Sequence, residues 1–591
     1  MEHYYSTEKS VQMLISLLKQ HSIRKIVASP GTTNLSFVAS AMQDPWFEIY
    51  SSVDERSACY IACGLAFQSK EPVVLSCTGA TASRNYMPGL TEAFYSKLPI
   101  LAITATQGHN KIGNLMAQVI DRTNIQNDIA VLSESITASI SDEEEWHNNV
   151  KINRALLALR HHGGGPVHLD FQTIYSRDYT VKDCPKTRAI FRTSTIDPQS
   201  NPGNFFPRIE TDGKIAIFIG RHNDFSKEAT DTIDRFCAKY NAVVFCDHTS
   251  GYKGKYRILL PLITTQTLAS LDINKVELLI HIGEISGAYM SVVPQNVWRV
   301  SPDGEIKDFF QRLTRVFEME PEIFFNHYAT ADETIVTKSS YLEECNTLLS
   351  DIRGKIKPSE IPFSNIWIAS QTAHRIPENS IVHLGILNSL RAWNMFEMPE
   401  SVSSTSNTGG FGIDGILSTL VGASLADHER LFFAIMGDLA FFYDMNVAGN
   451  RHVGKNVRIL LINNGKGTEF RNYNHPGALF GDEADNYIAA AGHYGNKSHA
   501  LVRHYAEDLG FEYLTAESKE EYISNLDRFL SPLTSDSKPI LFEVFTNSDE
   551  ESEALRMINE TIKSASMTAK KVLKEALGDK GIKFAKSILG K

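Results

Sequence analysis

The sequence predicts an α/β protein made of three doubly wound, parallel-sheet domains and a helical tail. Three observations carry that expectation. Short, wholly apolar runs such as "EPVVLSCTG" and "LPILAITA" alternate with longer helical stretches such as "TEKSVQMLISLLKQH", and strands buried on both faces belong to parallel sheets. The chain has 591 residues, too many for one core when a domain typically holds about 100 to 200. The alternation also pauses twice, over residues 177–212 and 329–362.

In chain order, "SIRKIVASPG" reads as a strand that breaks at Pro30-Gly31. It opens a first domain over residues 1–180. The stretch from Arg177 to Asp212 is rich in Pro, Thr, Ser and Asn and reads as a linker. "GKIAIFIG", "NAVVFCD" and "VELLIHIG" then form a second domain over residues 205–330. Its "FIGRHND" holds one glycine turn and no dinucleotide fingerprint, so a structural role is assigned to it. A charged, helical linker follows. "SIVHLGI", "RLFFAIMGD" and "VRILLINNG" start the third domain, residues 360–548, which ends near "KPILFEVFT". The tail, residues 549–591, carries apolar residues at helical spacing among many lysines. It suits packing on the protein's own assembly, with an anionic membrane surface as the alternative.

Composition removes several function classes. A net charge of −11 and a pI near 6.0 argue against a nucleic-acid partner. Seven cysteines with no CxxC suit a reducing compartment. Cys59 and Cys63, one helical turn apart, read as an apolar helix face. No basic, then apolar leader opens the chain, and no apolar run reaches the roughly 18 residues of a membrane span. A cytoplasmic location is the expectation.

The chemistry gathers at strand ends, where ligands bind in doubly wound sheets. "RLFFAIMGD" ends on Asp438 and "VRILLINNG" ends on Asn464, 26 positions later. Either dipeptide alone is an ordinary strand-ending turn. Together they place a carboxylate and an amide oxygen beside each other if the strands are neighbours. Such hard ligands suit Mg²⁺, which keeps few protein ligands and takes phosphate oxygens as well. "GDLAFF" then opens a helix, whose first N–H groups favour an anion. A metal-bridged diphosphate is the physical reading.

Gly-Asp-Leu, then some 25 residues, then Asn-Asn resembles the cofactor motif of the thiamine-diphosphate-dependent decarboxylase and carboligase family. A second stretch, "VDERSACYIACGLA", resembles the family segment that carries its activating glutamate. The resemblance implies thiamine diphosphate and Mg²⁺ as cofactors. It places the metal on Asp438, Asn464 and the carbonyl of Lys466. It makes Glu55 the carboxylate that hydrogen-bonds N1′ of the aminopyrimidine, and it puts Gln118 near the reacting centre. Asn85, Ser389, Gly412, Ile413, Gly437, Leu439, Ala440, Gly467 and Thr468 complete the implied cofactor set, Ile413 being the apolar wedge behind the cofactor. The first and third domains become the pyrimidine-binding and diphosphate-binding domains. A homodimer or homotetramer follows, with each site shared between subunits.

"SPGTTN", "MPGLTEA", "SNTGGFGIDGILST" and "NNGKGTEF" are most similar to the menaquinone-pathway branch of the family, which uses 2-oxoglutarate and isochorismate. The departures bear on substrate. Where that branch has Ser-Arg after Ser-Pro-Gly, this chain has Thr32-Thr33. Thr106-Gln107 stands where it has Asp-Arg, and Thr408 where Ser-Asn-Arg-Gly has its arginine. Trp393 takes a further arginine position, with Arg391 close by. Arginine matches a carboxylate as a two-pronged donor and threonine does not. Each lost contact of that kind costs about 1.5–3 kcal/mol. Glu469 and Phe470 stand in the expected donor pocket, and Arg84 and Arg391 are candidate replacement clamps. Glu469 and Arg471 are expected to face solvent, with a polar or phosphorylated substrate as the alternative, and His475 is an acid–base candidate.

The expectation is an enzyme that decarboxylates a 2-oxo acid and transfers the acyl unit to an acceptor the sequence does not identify, with the branch's own synthase reaction as the alternative. A simple decarboxylase and a non-catalytic cofactor-binding subunit are the other readings. The intact Glu55 argues against the last. A general magnesium–nucleotide enzyme lacks its GxxxxGK[ST].

Overall fold

The computed structural model describes residues 4–122, 125–138, 141–190, 206–209, 213–269, 271–288, 291–305, 307–330 and 340–563. Three six-stranded sheets lie along the chain, and every strand pair within them is parallel. The first sheet holds β1 (Lys25–Ala28), β2 (Glu48–Ser51), β3 (Val73–Cys77), β4 (Ile100–Thr106), β5 (Leu132–Ile136) and β6 (Val167–Gln172), in the order β2-β1-β3-β4-β6-β5. The second holds β7 (Ile215–Ile219), β8 (Val243–Cys246), β9 (Arg257–Leu259), β10 (Lys275–Ile282), β11 (Val293–Val300) and β12 (Leu313–Phe317), in the order β12-β11-β10-β7-β8-β9. The third holds β13 (Ile381–Leu384), β14 (Ser403–Thr405), β15 (Phe432–Gly437), β16 (Val457–Asn463), β17 (Glu512–Ala516) and β18 (Ile540–Phe545), in the order β14-β13-β15-β16-β18-β17.

The first and third sheets therefore share one topology, and the second is wound differently. The central strands explain the burial. Val73–Cys77, Ile100–Thr106, Phe432–Met436 and Val457–Asn463 are buried at every position, as apolar runs covered by helices on both faces must be. In the second sheet the loops after β7 and β10 cross closely. A Cβ on Gly220 would lie 1.8 Å from the Glu284 carbonyl oxygen, so the single glycine of "FIGRHND" is needed for the crossing itself.

The first and third domains dock through two helices, α1 (Glu55–Ser69) and α2 (Ile416–Ser424). Cys59 and Cys63 are buried on α1. The helices touch backbone to backbone. A Cβ on Gly64 would lie 1.8 Å from the Thr419 carbonyl oxygen, and one on Gly422 would lie 1.9 Å from that of Ile61. Around this crossing Ala58, Ile61, Leu65, Leu420, Val421 and Phe441 form one core spanning both domains. Another core joins the second and third domains through Phe245, Leu262, Trp367, Trp393 and Phe542.

The linker over 329–362 contains the helix Tyr341–Lys355, capped by the Ser340 hydroxyl. The tail begins with α3 (Ser548–Asn559), which packs on its own chain through Ala554, Leu555 and Ile558 and accepts a bond from the Thr267 amide at 2.8 Å. The lysine-rich remainder, 564–591, lies outside the described residues, as does most of the 177–212 linker beyond residue 190. No helix among the described residues is long and apolar enough to cross a membrane.

Candidate active site

The strand order of the third sheet reverses between β13 and β15, so its crevice opens beyond the carboxyl ends of those two parallel strands. Asp438 follows β15 directly, and Asn464 follows β16, the next strand, with Gly437 opposite Ile462 in the register. The two oxygen ligands expected from sequence are thus neighbours.

Their electrostatics are unusual. Asp438 is buried, and burial pushes its carboxyl up to about 7, against the opposing pull of the backbone N–H groups of Leu439 and Gly465; nearby Glu543 adds a smaller upward push. The Asn464 Oδ1 is buried with no hydrogen-bond partner. Its neighbour Asn463 has a different task, donating to Glu543 at 2.7 Å and accepting from the Gly465 amide at 3.2 Å. The Thr468 hydroxyl is also buried without a partner. A Cβ on Gly437 would meet nothing within 4 Å, so open space lies beside the strand end. An under-solvated carboxylate and an orphaned amide oxygen beside that space form a hard-ligand set able to hold a small divalent cation and the anion it carries.

The other expected residues of the third domain lie on segments that follow its strands. The Ser389 hydroxyl accepts from Asn365 Nδ2 at 3.2 Å, and Asn365 Oδ1 accepts from the Trp393 indole at 3.3 Å. Trp393 is fully buried, so that position serves packing. Lys466 forms an ion pair with Asp485 at 2.5 Å, and its carbonyl accepts from the Thr468 amide at 2.9 Å. Gly412, Ile413 and Asp414 lie on the loop before α2. Asp414 accepts from the Tyr60 hydroxyl of α1 at 2.7 Å, and Ile413 is 37% exposed. Leu439 and Ala440 continue from Asp438 into the helix Asp438–Asp444.

In the first domain, Glu55 is the first residue of α1, and Asp54 caps that helix. Glu55 Oε2 accepts from Asn85 Nδ2 at 3.1 Å, which joins two expected residues separated by 30 positions. Gln118 sits on an exposed loop with φ 62°, in the left-handed region. Thr32 is exposed. Thr33 is buried, its hydroxyl shared with Thr78 at 2.6 Å and with the Ala105 carbonyl at 3.1 Å. Gln107 accepts from Lys111 at 2.7 Å, and Arg84 donates to the Asp121 carbonyl at 2.9 Å. Thr408 is buried with its hydroxyl unpartnered.

Within one chain the two half-sites stay apart. The start of α1 bonds the far end of the helix that Asp438 opens: Asn446 donates to Asp54 at 2.8 Å, and Arg56 donates to the Tyr443 carbonyl at 2.8 Å. Six residues of helix, about 9 Å of rise, separate Asp438 from Asp444. Among the described residues no hydrogen bond joins Glu55 to the strand ends of the third sheet.

Glu469 and Arg471 do not point to solvent. Arg391 grips Glu469 with both terminal nitrogens, at 2.8 and 2.9 Å. Arg471 bonds Asp482 at 3.0 Å and Asp485 at 3.2 Å. Sequence patterns do carry charge at these positions, but nothing in spacing reveals that residues 78 apart pair. The same holds for Asn365, which positions Ser389, and for Arg122, whose buried guanidinium meets Asp170 at 2.8 Å beside the end of the first sheet.

The model of the thiamine pyrophosphate enzyme N-terminal TPP-binding domain matches residues 9–127. The chain is 30% identical, over 568 residues, to the 2-succinyl-5-enolpyruvyl-6-hydroxy-3-cyclohexene-1-carboxylate synthase of Bacteroides thetaiotaomicron, covering 93% of this chain and 98% of that protein. It is 28% identical to the synthase of the same name from Flavobacterium johnsoniae, over 92% of this chain and 97% of the other. Among solved structures, the thiamine diphosphate-dependent 4-hydroxybenzoylformate decarboxylase of Rhodococcus jostii RHA1 shares the fold, with TM-score 0.64 at 16% identity over 92% of this chain and 99% of that one.

Proposed function

Because the chain belongs to the thiamine pyrophosphate enzyme family that includes these synthases, and is an enzyme of that kind, we propose that it decarboxylates a 2-oxo acid and joins the remaining acyl unit to an acceptor. The observation that carries this reading is the pair at the strand ends: a desolvated Asp438 carboxylate beside an Asn464 oxygen with no partner. A buried polar atom without a hydrogen bond costs free energy, and the Asn464 Oδ1 and the Thr468 hydroxyl beside Asp438 are two such atoms, so the arrangement is built for a ligand.

The residues fit the cofactor. Asp438, Asn464 and the Lys466 carbonyl would hold Mg²⁺, with Ser389 and Thr468 offering hydroxyls to the diphosphate. Thiamine diphosphate, when bound, supplies the carbon acid that adds to the 2-oxo group and holds the electron pair left by departing CO₂. Glu55 would hold a proton at N1′ of the pyrimidine ring, and Asn85 fixes that carboxylate. Ile413 would support the bound cofactor, and the buried third-sheet strands would keep water from its diphosphate.

The site is completed by a second copy of this chain. Glu55 and Asp438 remain apart in one subunit, and large apolar side chains beside both half-sites are exposed, among them Val53 at 83% and Leu479 at 87%. A homodimer in which the first domain of one subunit faces the third domain of the other across each site accounts for both.

Two substrate readings stand on different observations. The name shared by the relatives, at similarity running through nearly the whole chain, supports the synthase reaction with 2-oxoglutarate and isochorismate. The expected substrate positions support a different donor: Thr33, Gln107 and Thr408 stand where that branch has arginines, and Arg391 is already occupied by Glu469. The test is CO₂ release by the protein with Mg²⁺ and thiamine diphosphate, across pyruvate, 2-oxoglutarate, 2-oxobutyrate and 2-oxo-5-hydroxypentanoate, with Glu55→Gln as control. Release from none of them refutes the decarboxylating reading. Preference for 2-oxoglutarate selects the synthase reaction, and preference for a monocarboxylic acid selects the altered donor.

A further inference from the structure

A cavity of about 380 Å³ lies between the second and third domains. It adjoins the cofactor residues at three points. Leu387 precedes Asn388-Ser389, Phe411 precedes Gly412-Ile413, and Glu469 follows Thr468, and all three line it. Its size falls within that of small-molecule sites, roughly 300–1,000 Å³.

The charge inside this cavity is already cancelled. Arg391 and Glu469 meet in a two-pronged fork at 2.8 and 2.9 Å, with side chains 21% and 16% exposed. Asn472 donates to the same carboxylate at 3.3 Å. The Asn388 amide, turned so that its nitrogen faces Glu469, adds a donor at 2.7 Å. Glu469 is therefore saturated with donors, and the strongest carboxylate-binding side chain of the cavity is spent on an internal partner. A second carboxylate entering here would face Glu469 across a half-buried space and would have to break the fork to reach Arg391.

What remains is a neutral, hydrogen-bonding lining. Thr264 and Asn474 face the cavity. His475 Nδ1 accepts from the Gly477 amide at 2.9 Å, which leaves Nε2 as the donor nitrogen of the neutral ring.

We propose that the Arg391–Glu469 fork sets the donor specificity of this enzyme: the cavity takes a 2-oxo acid whose distal end is uncharged and carries hydroxyl groups, and it rejects one ending in a second carboxylate. This rests on the decarboxylating reading above. Arg391 and Glu469 are specificity residues and touch the far end of the donor, not its reacting carbons.

The experiment compares the wild-type protein with Glu469→Ala, Glu469→Gln and the double variant Arg391→Gln/Glu469→Ala, each checked for an unchanged far-ultraviolet spectrum. The first readout needs no turnover: thermal unfolding in the presence of succinate alone, a dicarboxylate probe. Succinate should raise the unfolding temperature of both single variants, with at least tenfold tighter apparent binding than to wild type, and leave the double variant unmoved. Wild-type binding as tight as that of the single variants, or an equal gain in the double variant, overturns the proposal. The second readout is the ratio of kcat/KM for 2-oxo-5-hydroxypentanoate, in which CH₂OH replaces the distal carboxylate, to that for 2-oxoglutarate. It should exceed ten in wild type and fall at least tenfold in Glu469→Ala; a wild-type ratio below one overturns the proposal. The succinate shift without CO₂ release from any donor would sink the decarboxylating reading and leave the fork's selectivity standing. CO₂ release without the succinate shift would do the reverse.

Discussion

Adding one methyl group at residue 64 should unseat the first domain from the third. In Gly64→Ala the new Cβ would stand 1.8 Å from the Thr419 carbonyl oxygen, with Thr419 C at 2.7 Å and the Ala423 nitrogen at 2.9 Å. All three are backbone atoms of α2, so no side chain can swing aside. Ordinary contact begins at 3.4 Å, so α1 and α2 must part by about 1.6 Å. Overpacking of a well-packed core costs typically 1–3 kcal/mol, and a rigid backbone obstacle belongs at or above the top of that range. The core shared by the two helices loosens with them. Because Glu55 opens α1, the same shift displaces it from the cofactor, and a misplacement of about 1 Å can cost 10²-fold in rate. Calorimetric unfolding of Gly64→Ala should show the first transition several degrees below wild type, with CO₂ release down about a hundredfold. Gly354→Ala is the matched control. Gly354 is exposed near the end of the helix Tyr341–Lys355, and a Cβ there meets nothing within 4 Å. That change should stabilise by about 0.5–1 kcal/mol. If Gly64→Ala melts with wild type and keeps its activity, the close helix crossing is wrong.

Further expectations follow from the site and its surroundings. Glu55→Gln should keep the fold and lower CO₂ release by about 10²–10⁴-fold, the usual weight of a positioned acid–base group; an unchanged rate in a steady-state CO₂ assay removes Glu55 from the chemistry. Asp438→Asn should abolish the Mg²⁺ dependence of thiamine diphosphate binding, measured by calorimetry with and without chelator. It should also leave the unliganded protein at least as stable at neutral pH, since the change removes a buried carboxyl. Glu551 is buried beside the Asn365 amide, and burial pushes its carboxyl up to about 7. The folded state thus holds that proton more tightly than the unfolded chain, so this contribution is present below about pH 4.5 and is lost as pH rises to 7. Glu551→Gln should remove that dependence, improving stability relative to wild type by on the order of 3 kcal/mol between pH 4.5 and pH 8. Parallel chemical-denaturation curves for the two proteins at both pH values would contradict it.

Much of this protein is legible in consecutive residues alone. A strand buried on both faces must be apolar throughout, so the central strands of all three sheets stand out as runs of Val, Ile, Leu and Phe. Ligands gather at strand ends, so Asp438 and Asn464 can be paired from their spacing, and the register of β15 on β16 makes them neighbours. The contact of Asn85 with Glu55 joins two expected residues 30 positions apart. The sequence by itself therefore determined the fold class and the strand ends that bring Asp438 and Asn464 together, because period, burial and local turns are written along the chain, while the cofactor was implied by its resemblance to a family. Only the tertiary structure decided which charges meet. Arg391 and Glu469 lie 78 positions apart, and neither shows in its own neighbourhood that it neutralises the other. Gly64 and Gly422 are ordinary glycines in two helices until the crossing brings their backbones together. Coulomb attraction and close packing depend on distance in space, and chain separation says nothing about that distance once several domains have folded against one another.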